Sequence, residues 1–510
     1  MPRFYLTTAI DYANGDPHLG HAFEKVGADA IARYHRLAGF DVHLCVGMDE
    51  HGQKVAQTAA AQGVETQAFV DRVAATFRAM WDRLGVSYDQ FIRTTDPAHK
   101  AGVRALIKRI ADTSPDDFYE KAYEGWYCVG CELFKRDDEI VDGHCVLHTT
   151  RTLEWTKERN FFFRLSKYQG FLERLFAERP HYLEPASRRN EILALIAQGL
   201  EDISISRARL EWAIPFPLAI SDGSAQGTWV WFDALPNYLT ATGYPDPVWK
   251  QRWPAQLHVV GKDITRLHAV VWPAMLQAAE LPLPTRVWAH GFVQLGGERF
   301  SKSAGVRLDL GEAIDRHGPD AFRYFLLREV PFDADGNFSF ERFDERFTAD
   351  LANAFGNLAS RVIAMIERYR GGLVPAAPPT TLDADDAAGI ERYHGAMNGS
   401  AGYLIHEGLQ HVWGCVQRGN EYVDRRAPWK QAKDPALSAD LDETLGTLAR
   451  QLARLAVLVY PVMPTKAAEL WTQLGGPQSV GHQRFAGLAA LDPVGWRVTK
   501  GAPMFPKPVP

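Results

Sequence analysis

The segment RFYLTTAIDYANGDPHLGHAFEKVGAD, residues 3–29, decides the architecture of the first part of the chain. Its opening, RFYLTTAI, is rich in apolar and β-branched side chains and predicts a strand. The stretch from Pro17 to Leu37 predicts a helix, with Pro17 suited to the first helical turn. A buried strand, DVHLCVGMD, and a second helix from Thr66 to Leu84 follow. This alternation is typical of an α/β fold with a Rossmann-like, doubly wound sheet.

The pattern changes twice farther along the chain. Residues from about 118 to 165 contain clustered cysteines and interrupt the alternation, which indicates an inserted subdomain. Strand-like segments return at LHVVGKD and VWAHGFVQL. From about residue 334 amphipathic helices predominate, and they predict an α-helical bundle with the segment 371–389 as an internal loop. One apolar stripe of this bundle consists of Leu351, Phe355, Leu358, Val362, Ile366 and Tyr369.

The composition excludes several classes of protein. The chain has 510 residues, 46% hydrophobic and 23% charged, so two or three domains with their own cores are expected. The net charge of −6 means that any nucleic-acid surface is a local basic patch. The N-terminus lacks the apolar run of a secretory signal, and the stretch from Leu455 to Met463 is too short to span a bilayer. We therefore expect a cytoplasmic protein without a membrane segment.

Three of the five cysteines cluster within the insertion, and the odd total argues against a disulfide framework. Cys128 and Cys131 are separated by two residues, and after thirteen more residues Cys145 and His148 repeat this spacing. Two such pairs suit one tetrahedral Zn²⁺ with every position filled by protein, which is the pattern of a structural site. The alternative is four unrelated residues that share the spacing by chance.

The segment DPHLGH, residues 16–21, joins the first strand to the first helix. His18 and His21 lie three residues apart, so both project from one face beside a helix N-terminus, which is already a site for anions. Two imidazoles there can donate hydrogen bonds to phosphate oxygens, and Gly20 removes a side chain where a nucleotide would approach the backbone. Taken alone, the same pattern also fits a histidine pair on an ordinary surface helix.

A second element, ERFSKSAG at residues 298–305, follows a strand-like run. Arg299 and Lys302, together with Ser301 and Ser303, suit a mobile loop that closes over phosphate groups. Taken alone, this composition fits a solvated turn equally well.

Together the two elements resemble the HIGH and KMSKS signatures of class I aminoacyl-tRNA synthetases, in the same order and at a fitting separation. The surrounding sequence resembles methionyl-tRNA synthetases over nearly the whole chain. The segments that carry this resemblance are TTAIDYANGDPHLGHAFEKVGAD, GMDEHG, ISRARLEWAIPFP, WVWFDALPNY, GKDITRLHAVVWPAM and NAFGNLASR. Three residues depart from the pattern, because Arg299 and Phe300 replace the usual lysine and methionine, and Asp11 replaces the usual tyrosine or proline.

The resemblance implies an enzyme that uses ATP to join L-methionine to tRNA(Met) through a methionyl-adenylate, supplying initiator and elongator Met-tRNA. It implies that His18 and His21 contact the phosphates in the transition state and that Lys302 holds the departing pyrophosphate. Mg²⁺ would accompany the nucleotide. The implied ATP-binding residues, of which Glu24 and Asp263 would contact the ribose or its surroundings, are His18, Gly20, His21, Glu24, Asp263, Arg299, Ser301, Lys302 and Ser303.

The resemblance also implies a methionine pocket, in which Asp49 would pair with the substrate ammonium. Aromatic walls suit a polarizable thioether. The implied methionine-binding residues are Ile10, Tyr12, Asp49, Trp231, Ala234, Leu235, Tyr238, Ile264, His268 and Trp272.

Three further residues match positions at which the family reads the CAU anticodon. Asn357 and Arg361 lie four apart, so they share a helix face on the flank of the apolar stripe. Trp429 follows a proline in the basic segment DRRAPWKQAK, where an aromatic side chain between cations can stack an unpaired base. The alternative for Trp429 alone is a core residue that caps the bundle.

The predicted divisions combine these observations. They are the first half of the catalytic domain (1–117), the zinc-knuckle part of a connective insertion (118–165), the rest of the insertion with the second half of the catalytic domain and the KMSKS-like loop (166–333), an anticodon-binding bundle (334–490) and a tail (491–510). Since the chain stops shortly after the bundle, we expect a monomer without the appended dimerisation domain of some relatives. The remaining alternatives are a class I synthetase for another amino acid and a catalytically altered tRNA-binding paralogue.

Overall fold

The chain is described by a computed structural model over residues 1–129, 133–135, 137–146, 148–208, 210–295, 298–299 and 308–506. Residues 123, 133, 138, 148–152 and 298–299 are described by their backbone alone. Within these ranges, no helix has both the length and the apolar character needed to cross a bilayer.

The first part of the chain alternates strand and helix, as the sequence predicts. Its elements are β1 (Arg3–Thr8), β2 (Asp11–Tyr12), α1 (Leu19–Leu37), β3 (Asp41–Asp49), α2 (Gln53–Ala61), α3 (Thr66–Arg83), β4 (Gln90–Arg93) and α4 (Pro97–Thr113). The first helix starts at Leu19 and not in the turn of Pro17, because the His18 side chain caps it from the preceding position.

The insertion begins directly after α4 with a long antiparallel ribbon. Its elements are β5 (Phe118–Cys128), β6 (Leu133–Lys135), β7 (Ile140–Val141), β8 (His144–Cys145), β9 (His148–Thr152) and β10 (Glu154–Phe163). β5 and β10 pair from Phe118 opposite Phe163 to Tyr127 opposite Glu154, while β7, β8 and β9 form a separate small sheet at the far end. The cysteine-containing segment is therefore at the tip of the ribbon.

The chain then returns to the α/β unit. The elements are α5 (Gln169–Glu178), β11 (Leu183–Glu184), α6 (Ala186–Ala197), β12 (Ile203–Ser204), β13 (Ser206–Arg207), β14 (Gly227–Thr228), α7 (Val230–Ala234), α8 (Asn237–Thr240), β15 (Leu257–Gly261), α9 (Trp272–Ala278), β16 (Val287–His290), β17 (Val293–Leu295), β18 (Glu298–Arg299), α10 (Leu310–His317) and α11 (Pro319–Glu329).

The central sheet has seven strands in the order β11, β16, β15, β1, β3 and β2, with β4 also paired to β3. Each of these pairings is parallel. β1 pairs with β3 on one side and with β15 on the other, so the strand order reverses beside β1. Ligands of open α/β sheets bind beyond the carboxyl ends of the strands at such a switch point. The predicted Rossmann-like sheet is confirmed, and its topology marks where a site belongs.

Helices dominate the last third of the chain, which confirms the predicted helical region. The elements are β19 (Gly336–Phe338), α12 (Phe340–Arg346), α13 (Asn357–Arg370), α14 (Thr381–Met397), α15 (Ile405–Arg426), α16 (Pro428–Gln431), α17 (Ser438–Val459) and α18 (Pro464–Gln473). A wide π-helical stretch, Phe347–Gly356, leads into α13. The predicted loop 371–389 is wrong beyond Thr380, because a capping box between Thr380 and Asp383 starts α14 there.

A buried ionic cluster fastens α1 to the helical region. The Asp29 carboxylate in α1 accepts hydrogen bonds from Arg33 at 2.8 Å and from Arg323 of α11 at 2.6 Å. Arg323 is completely buried and also donates to the backbone carbonyls of Pro461 and Val462, between α17 and α18. The hydrophobic core is likewise continuous from α1 to α17. The helix that begins at the predicted nucleotide site is thus held from its other end by the bundle.

Candidate active site

Two histidines stack against each other at the N-terminus of α1. Nδ1 of His18 accepts a hydrogen bond from the backbone N–H of Gly20 at 3.1 Å. Nδ1 of His21 accepts from the backbone N–H of His18 at 3.3 Å, and the ring centroids lie 3.6 Å apart. A neutral imidazole whose Nδ1 accepts carries its proton on Nε2. Both rings therefore present an Nε2–H donor beside a helix N-terminus, which is the arrangement expected of a phosphate site.

Gly20 leaves room for the His18 ring in this arrangement. A Cβ at this position would lie 3.1 Å from Cε1 and 3.2 Å from Nδ1 of the His18 ring. Contacts this close would require the His18 ring to shift by a few tenths of an ångström. The glycine thus serves the geometry of His18 itself, in addition to the predicted approach of a nucleotide.

A cavity of about 340 Å³ opens beyond the carboxyl ends of β1, β3, β15 and β16, at the switch point of the sheet. From the predicted ATP-binding set it is lined by His18, Gly20, His21, Glu24 and Asp263. From the predicted methionine-binding set it is lined by Ile10, Tyr12, Asp49, Trp231, Ala234, Leu235, Tyr238, Ile264 and His268. The fold therefore brings members of both sets, drawn from residues 10–49 and 231–268, to one cavity.

Some lining residues escaped the sequence analysis. They are Ala9, Val230, Asn237, Gly261, His290, Gly291 and Phe292. His290 could have been found, because it ends the strand-like run VWAH and polar residues at strand ends commonly face such sites. Trp272, predicted to bind methionine, is fully buried behind the cavity and meets Tyr238 edge to face at 6.2 Å between centroids.

Tyr238 and His268 form a polar pair in the apolar wall of the cavity. Nδ1 of His268 lies 2.9 Å from the carbonyl oxygen of Ile264 and must donate to it, so Nε2 accepts from the Tyr238 hydroxyl at 2.6 Å. Burial lowers the pKa of His268 to about 4 and raises that of Tyr238 well above its usual value. Both groups are therefore neutral near pH 7, which suits an uncharged substrate side chain.

A second buried network fixes the helix that carries this wall. Asp233 of α7 accepts from Nδ1 of His51 at 2.6 Å and from Nε2 of His99 at 2.9 Å, and Nδ1 of His99 lies 2.8 Å from the hydroxyl of Thr240. Burial opposes ionisation of Asp233, but the two histidines lower its pKa below the usual value. The network joins α7 to α4, to α8 and to the segment directly after β3, and this holds Trp231 and Ala234 in position relative to Asp49.

Comparison with known proteins identifies the family. A sequence model described as "tRNA synthetases class I (M)" matches residues 4–363. The chain is 41% identical over 485 residues to a methionine–tRNA ligase of Synechocystis sp., covering 93% of this chain and 90% of that one. It is 39% identical to a methionine–tRNA ligase of Streptomyces coelicolor, covering 99% and 96%.

Solved structures agree. Mycobacterium tuberculosis methionyl-tRNA synthetase in complex with methionyl-adenylate superimposes with a TM-score of 0.93 at 38% identity, covering 99% of this chain and 100% of that one. The chain belongs to the methionyl-tRNA synthetase family. The apo form of the same Mycobacterium protein superimposes with a TM-score of 0.87. The alternatives of a synthetase for another amino acid and of a non-catalytic paralogue are not supported.

The KMSKS-like segment of this family member begins at the rim of the cavity. β17 follows the lining residue Phe292 directly and pairs with β18, whose backbone includes Arg299. The predicted ATP-binding residues Ser301, Lys302 and Ser303 lie outside the described residues. The family's second signature is thus connected to the cavity by a short antiparallel hairpin.

The predicted zinc ligands are described in part. Cys128 ends β5 and Cys145 lies in β8, and both are buried in one small cluster with Leu153. The backbone of His148 pairs with Cys145 across β8 and β9, while Cys131 lies outside the described residues. Among the described residues, no group of three or more histidine, cysteine or acidic side chains is placed to hold a metal. The part of the site that is described is compatible with the predicted chelating pairs.

The predicted anticodon residues lie near one another in the helical region. The Arg361 guanidinium of α13 stacks 5.7 Å above the Trp429 ring and donates to Asp424 at 2.8 Å. Asn357, one turn before Arg361, is exposed, and Trp429 is 38% exposed. The segment DRRAPWKQAK is mostly helical, broken at Ala427 in the left-handed conformation. Trp429 is therefore presented at a helix start and is not a core residue.

Proposed function

We propose that the chain catalyses the activation of L-methionine by ATP and the transfer of the methionyl group to tRNA(Met), supplying both initiator and elongator Met-tRNA. The observation that carries this proposal is the single cavity that joins the paired Nε2–H donors of His18 and His21 to the neutral wall of Tyr238 and His268. One end of the cavity suits phosphates, and the other suits an uncharged amino-acid side chain.

Activation needs positioning and charge stabilisation more than proton transfer. The methionine carboxylate is itself the nucleophile; it attacks the α-phosphate of ATP in line, and pyrophosphate leaves. His18 and His21 would donate their Nε2 protons to phosphate oxygens as negative charge develops. Lys302 and Arg299, with Ser301 and Ser303, would hold the departing pyrophosphate. The 3′-terminal ribose of the tRNA would then attack the adenylate.

The remaining cavity residues bind the substrates. Asp49, buried at the end of β3, would pair with the methionine ammonium. Glu24 and Asp263 line the nucleotide side and would bind the ribose or its surroundings. Mg²⁺ would enter with ATP and screen its phosphate oxygens, so no separate protein site is needed for it.

Zinc is proposed to stabilise the tip of the insertion. Cys128, Cys131, Cys145 and His148 supply thiolate and imidazole donors in two chelating pairs, the set that tetrahedral Zn²⁺ prefers. The burial of Cys128 and Cys145 in one cluster supports a common site. With four protein ligands the ion would be structural and would take no part in the chemistry.

The helical region is proposed to read the CAU anticodon through Asn357, Arg361 and Trp429. The exposed ring of Trp429 offers a stacking surface for an unpaired base, and Asn357 can hydrogen-bond a base edge from the neighbouring turn. We also propose that the protein is cytoplasmic and monomeric, and sedimentation of the purified protein would test its oligomeric state.

Methionine-dependent ATP–pyrophosphate exchange tests the proposed activity. We expect exchange with methionine to exceed that with homocysteine, leucine or isoleucine, followed by charging of tRNA(Met). Exchange that is strongest with another amino acid, or that is absent with all four, would refute the proposal.

A further inference from the structure

A buried lysine lies directly behind the cavity. Nζ of Lys25, in α1, is completely buried and donates three hydrogen bonds: to the carbonyl oxygen of Ala9 at 2.9 Å, to Oδ1 of Asp11 at 2.8 Å and to Oε1 of Glu24 at 2.7 Å. An ammonium has three protons, so each is used. This one group thereby connects the segment after β1 with the first turns of α1.

Both elements that Lys25 connects are walls of the cavity. Glu24 lines the nucleotide side, and its second oxygen, Oε2, lies 3.1 Å from Nε2 of His290 at the end of β16. Each oxygen of the Glu24 carboxylate thus has its own partner, Lys25 for Oε1 and His290 for Oε2. On the other side, Ala9 and Asp11 flank Ile10, and all three residues line the cavity next to the methionine wall. The ammonium therefore spans the boundary between the two proposed subsites.

The direction of Asp11, which the sequence did not reveal, follows from this contact. Its carboxylate turns to Lys25 and is 4% exposed. Burial raises the pKa of Asp11 to about 7 against the opposing pull of Lys25. Burial would also lower the pKa of Lys25, but Asp11 and Glu24 together raise it, so the ammonium stays charged. Isolated buried charges are costly, and here each charged group has a partner of opposite sign.

We propose that Lys25 is a positioning residue for methionine activation, which with Asp11 fixes the methionine wall relative to the nucleotide wall; this rests on the proposed function. Lys25 contacts neither reacting group. It sets the separation between the bound carboxylate and the α-phosphate by holding residues 9–11 and Glu24 to one point. In-line attack is sensitive to such geometry, and a misplacement of about 1 Å can cost ~100-fold in rate.

The test uses Lys25→Met, which keeps the length of the side chain and removes the ammonium. We expect kcat of methionine-dependent exchange to fall ~10–100-fold, while the Kd of methionine, followed by tryptophan fluorescence, changes less than about threefold. The double variant Asp11→Asn/Lys25→Met removes both members of the link, so no Asp11 carboxyl is left that must become protonated in the absence of Lys25. We expect it to regain stability relative to Lys25→Met and to keep the same low kcat, because the link is missing in both.

Arg450→Met is the matched control. Arg450 is also a buried cation that bridges a carboxylate, that of Asp383, to two backbone carbonyls, those of Ala377 and Pro378, but it lies in the helical region. Its loss should lower stability and leave kcat of exchange unchanged. A kcat that recovers with stability in the double variant, or an unchanged kcat in Lys25→Met, would overturn the inference. Wild-type protein without methionine-dependent exchange would instead refute the proposed function.

Discussion

At the scale of single residues, His18 has two separable tasks. Its Nδ1 caps α1, and its Nε2–H is the proposed phosphate donor. His18→Asn should keep the cap, since asparagine is among the best N-cap residues, and should remove the Nε2 donor. We expect near-normal stability in urea and methionyl-adenylate formation slowed ~10²–10³-fold, the loss typical of one transition-state donor. Rapid quench measurements of the adenylate give the rate.

His18→Ala serves as the comparison, because it removes both tasks. It should match His18→Asn in rate and lose a further ~1 kcal/mol of stability with the cap. Full activity of His18→Asn would mean that the histidine is a helix cap and nothing more.

Lys302→Ala should slow adenylate formation far more than it weakens methionine binding. Charge on pyrophosphate develops as the bond breaks, so a partner for that charge acts mainly in the transition state. The expected loss is ~3–4 kcal/mol of transition-state stabilisation. Single-turnover rates and methionine affinity, measured side by side, separate the two effects. Near-normal single-turnover rates would remove Lys302 from the proposed mechanism.

Residue types could be predicted from the sequence, whereas their hydrogen bonds could not. Spacing alone places His18 and His21 on one face, but the tautomer of each ring depends on backbone N–H groups that exist once the cap has formed. Similarly, Asp11 pairs with Lys25, fourteen residues away on α1. The sequence shows a carboxylate at this position but does not show which lysine it pairs with. Trp272 is assigned to the methionine pocket by resemblance alone, and it lies behind Tyr238, outside the cavity lining.

At the scale of elements, the proposed zinc site at the tip of the insertion can be tested directly. We expect one Zn²⁺ per chain in purified protein, and Cys131→Ala should remove it because three ligands bind far more weakly than four. Cys415→Ala is the control, since Cys415 is a buried thiol of α15 far from the insertion in sequence. Metal analysis that finds no zinc, or unchanged zinc in Cys131→Ala, would exclude the site.

The position of Trp429 at the start of α16 leads to a prediction about tRNA charging. Trp429→Ala should lower kcat/KM for charging by ten-fold or more, because stacking on one base contributes ~1–3 kcal/mol. Exchange without tRNA should stay near normal, since that reaction takes place in the cavity. Trp429→Phe, which retains an aromatic face, should keep much of the charging activity. A parallel fall of exchange and charging would make Trp429 structural.

Element boundaries could be predicted where the spacing of apolar residues and the capping residues indicated the same helix. The apolar stripe through Leu358 and Val362 is buried as expected. The segment 371–389 was misjudged because its prolines and small residues continue into TLDADDAAG, and the helix there is started by a side-chain capping box. Only the pairing of Thr380 with Asp383 distinguishes its polar first turn from a loop, a signal that the S/T-x-x-D/E pattern could have supplied.

At the scale of the whole molecule, α1 connects the chemistry to the bundle. It begins at the histidine pair, carries Glu24 and Lys25 behind the cavity, and ends in contacts with the helical region. Arg33 donates to the Tyr460 hydroxyl at 3.0 Å, and the Tyr34 hydroxyl lies 2.9 Å from Nδ1 of His394. One helix therefore fixes the position of the cavity relative to the helical region. These contacts join residues more than three hundred positions apart, so no local sequence pattern could have predicted them.

Asp29 is the residue on which this connection depends, and its titration gives a test. Burial raises the pKa of Asp29, but Arg33 and Arg323 outweigh burial and hold it below the usual value. A carboxyl whose pKa is lower in the folded than in the unfolded chain stabilises fully above the unfolded value of ~3.9, and this contribution is lost as pH falls through the folded pKa. Asp29→Asn should therefore cost ~3–5 kcal/mol at pH 7, since it leaves the buried Arg323 without its carboxylate.

The deficit of Asp29→Asn relative to wild type should stay constant from pH 7 to about pH 4 and narrow below that, because the Asp29 carboxyl of the unfolded wild-type chain is protonated there before that of the folded chain. Urea unfolding at pH 7, 4, 3 and 2 measures this deficit, and calorimetry at the same pH values shows the number of unfolding transitions. Asp315→Asn is the control, because Asp315 pairs with Arg83 at an exposed position, and such pairs contribute ~0–1 kcal/mol. We further expect the catalytic and helical regions to unfold in one transition in the wild type, where Arg323 links Asp29 to Pro461 and Val462, and in two transitions in Asp29→Asn. A deficit that is small at pH 7, or that stays constant down to pH 2, would show that the continuous hydrophobic core, and not the ionic cluster, joins the two regions.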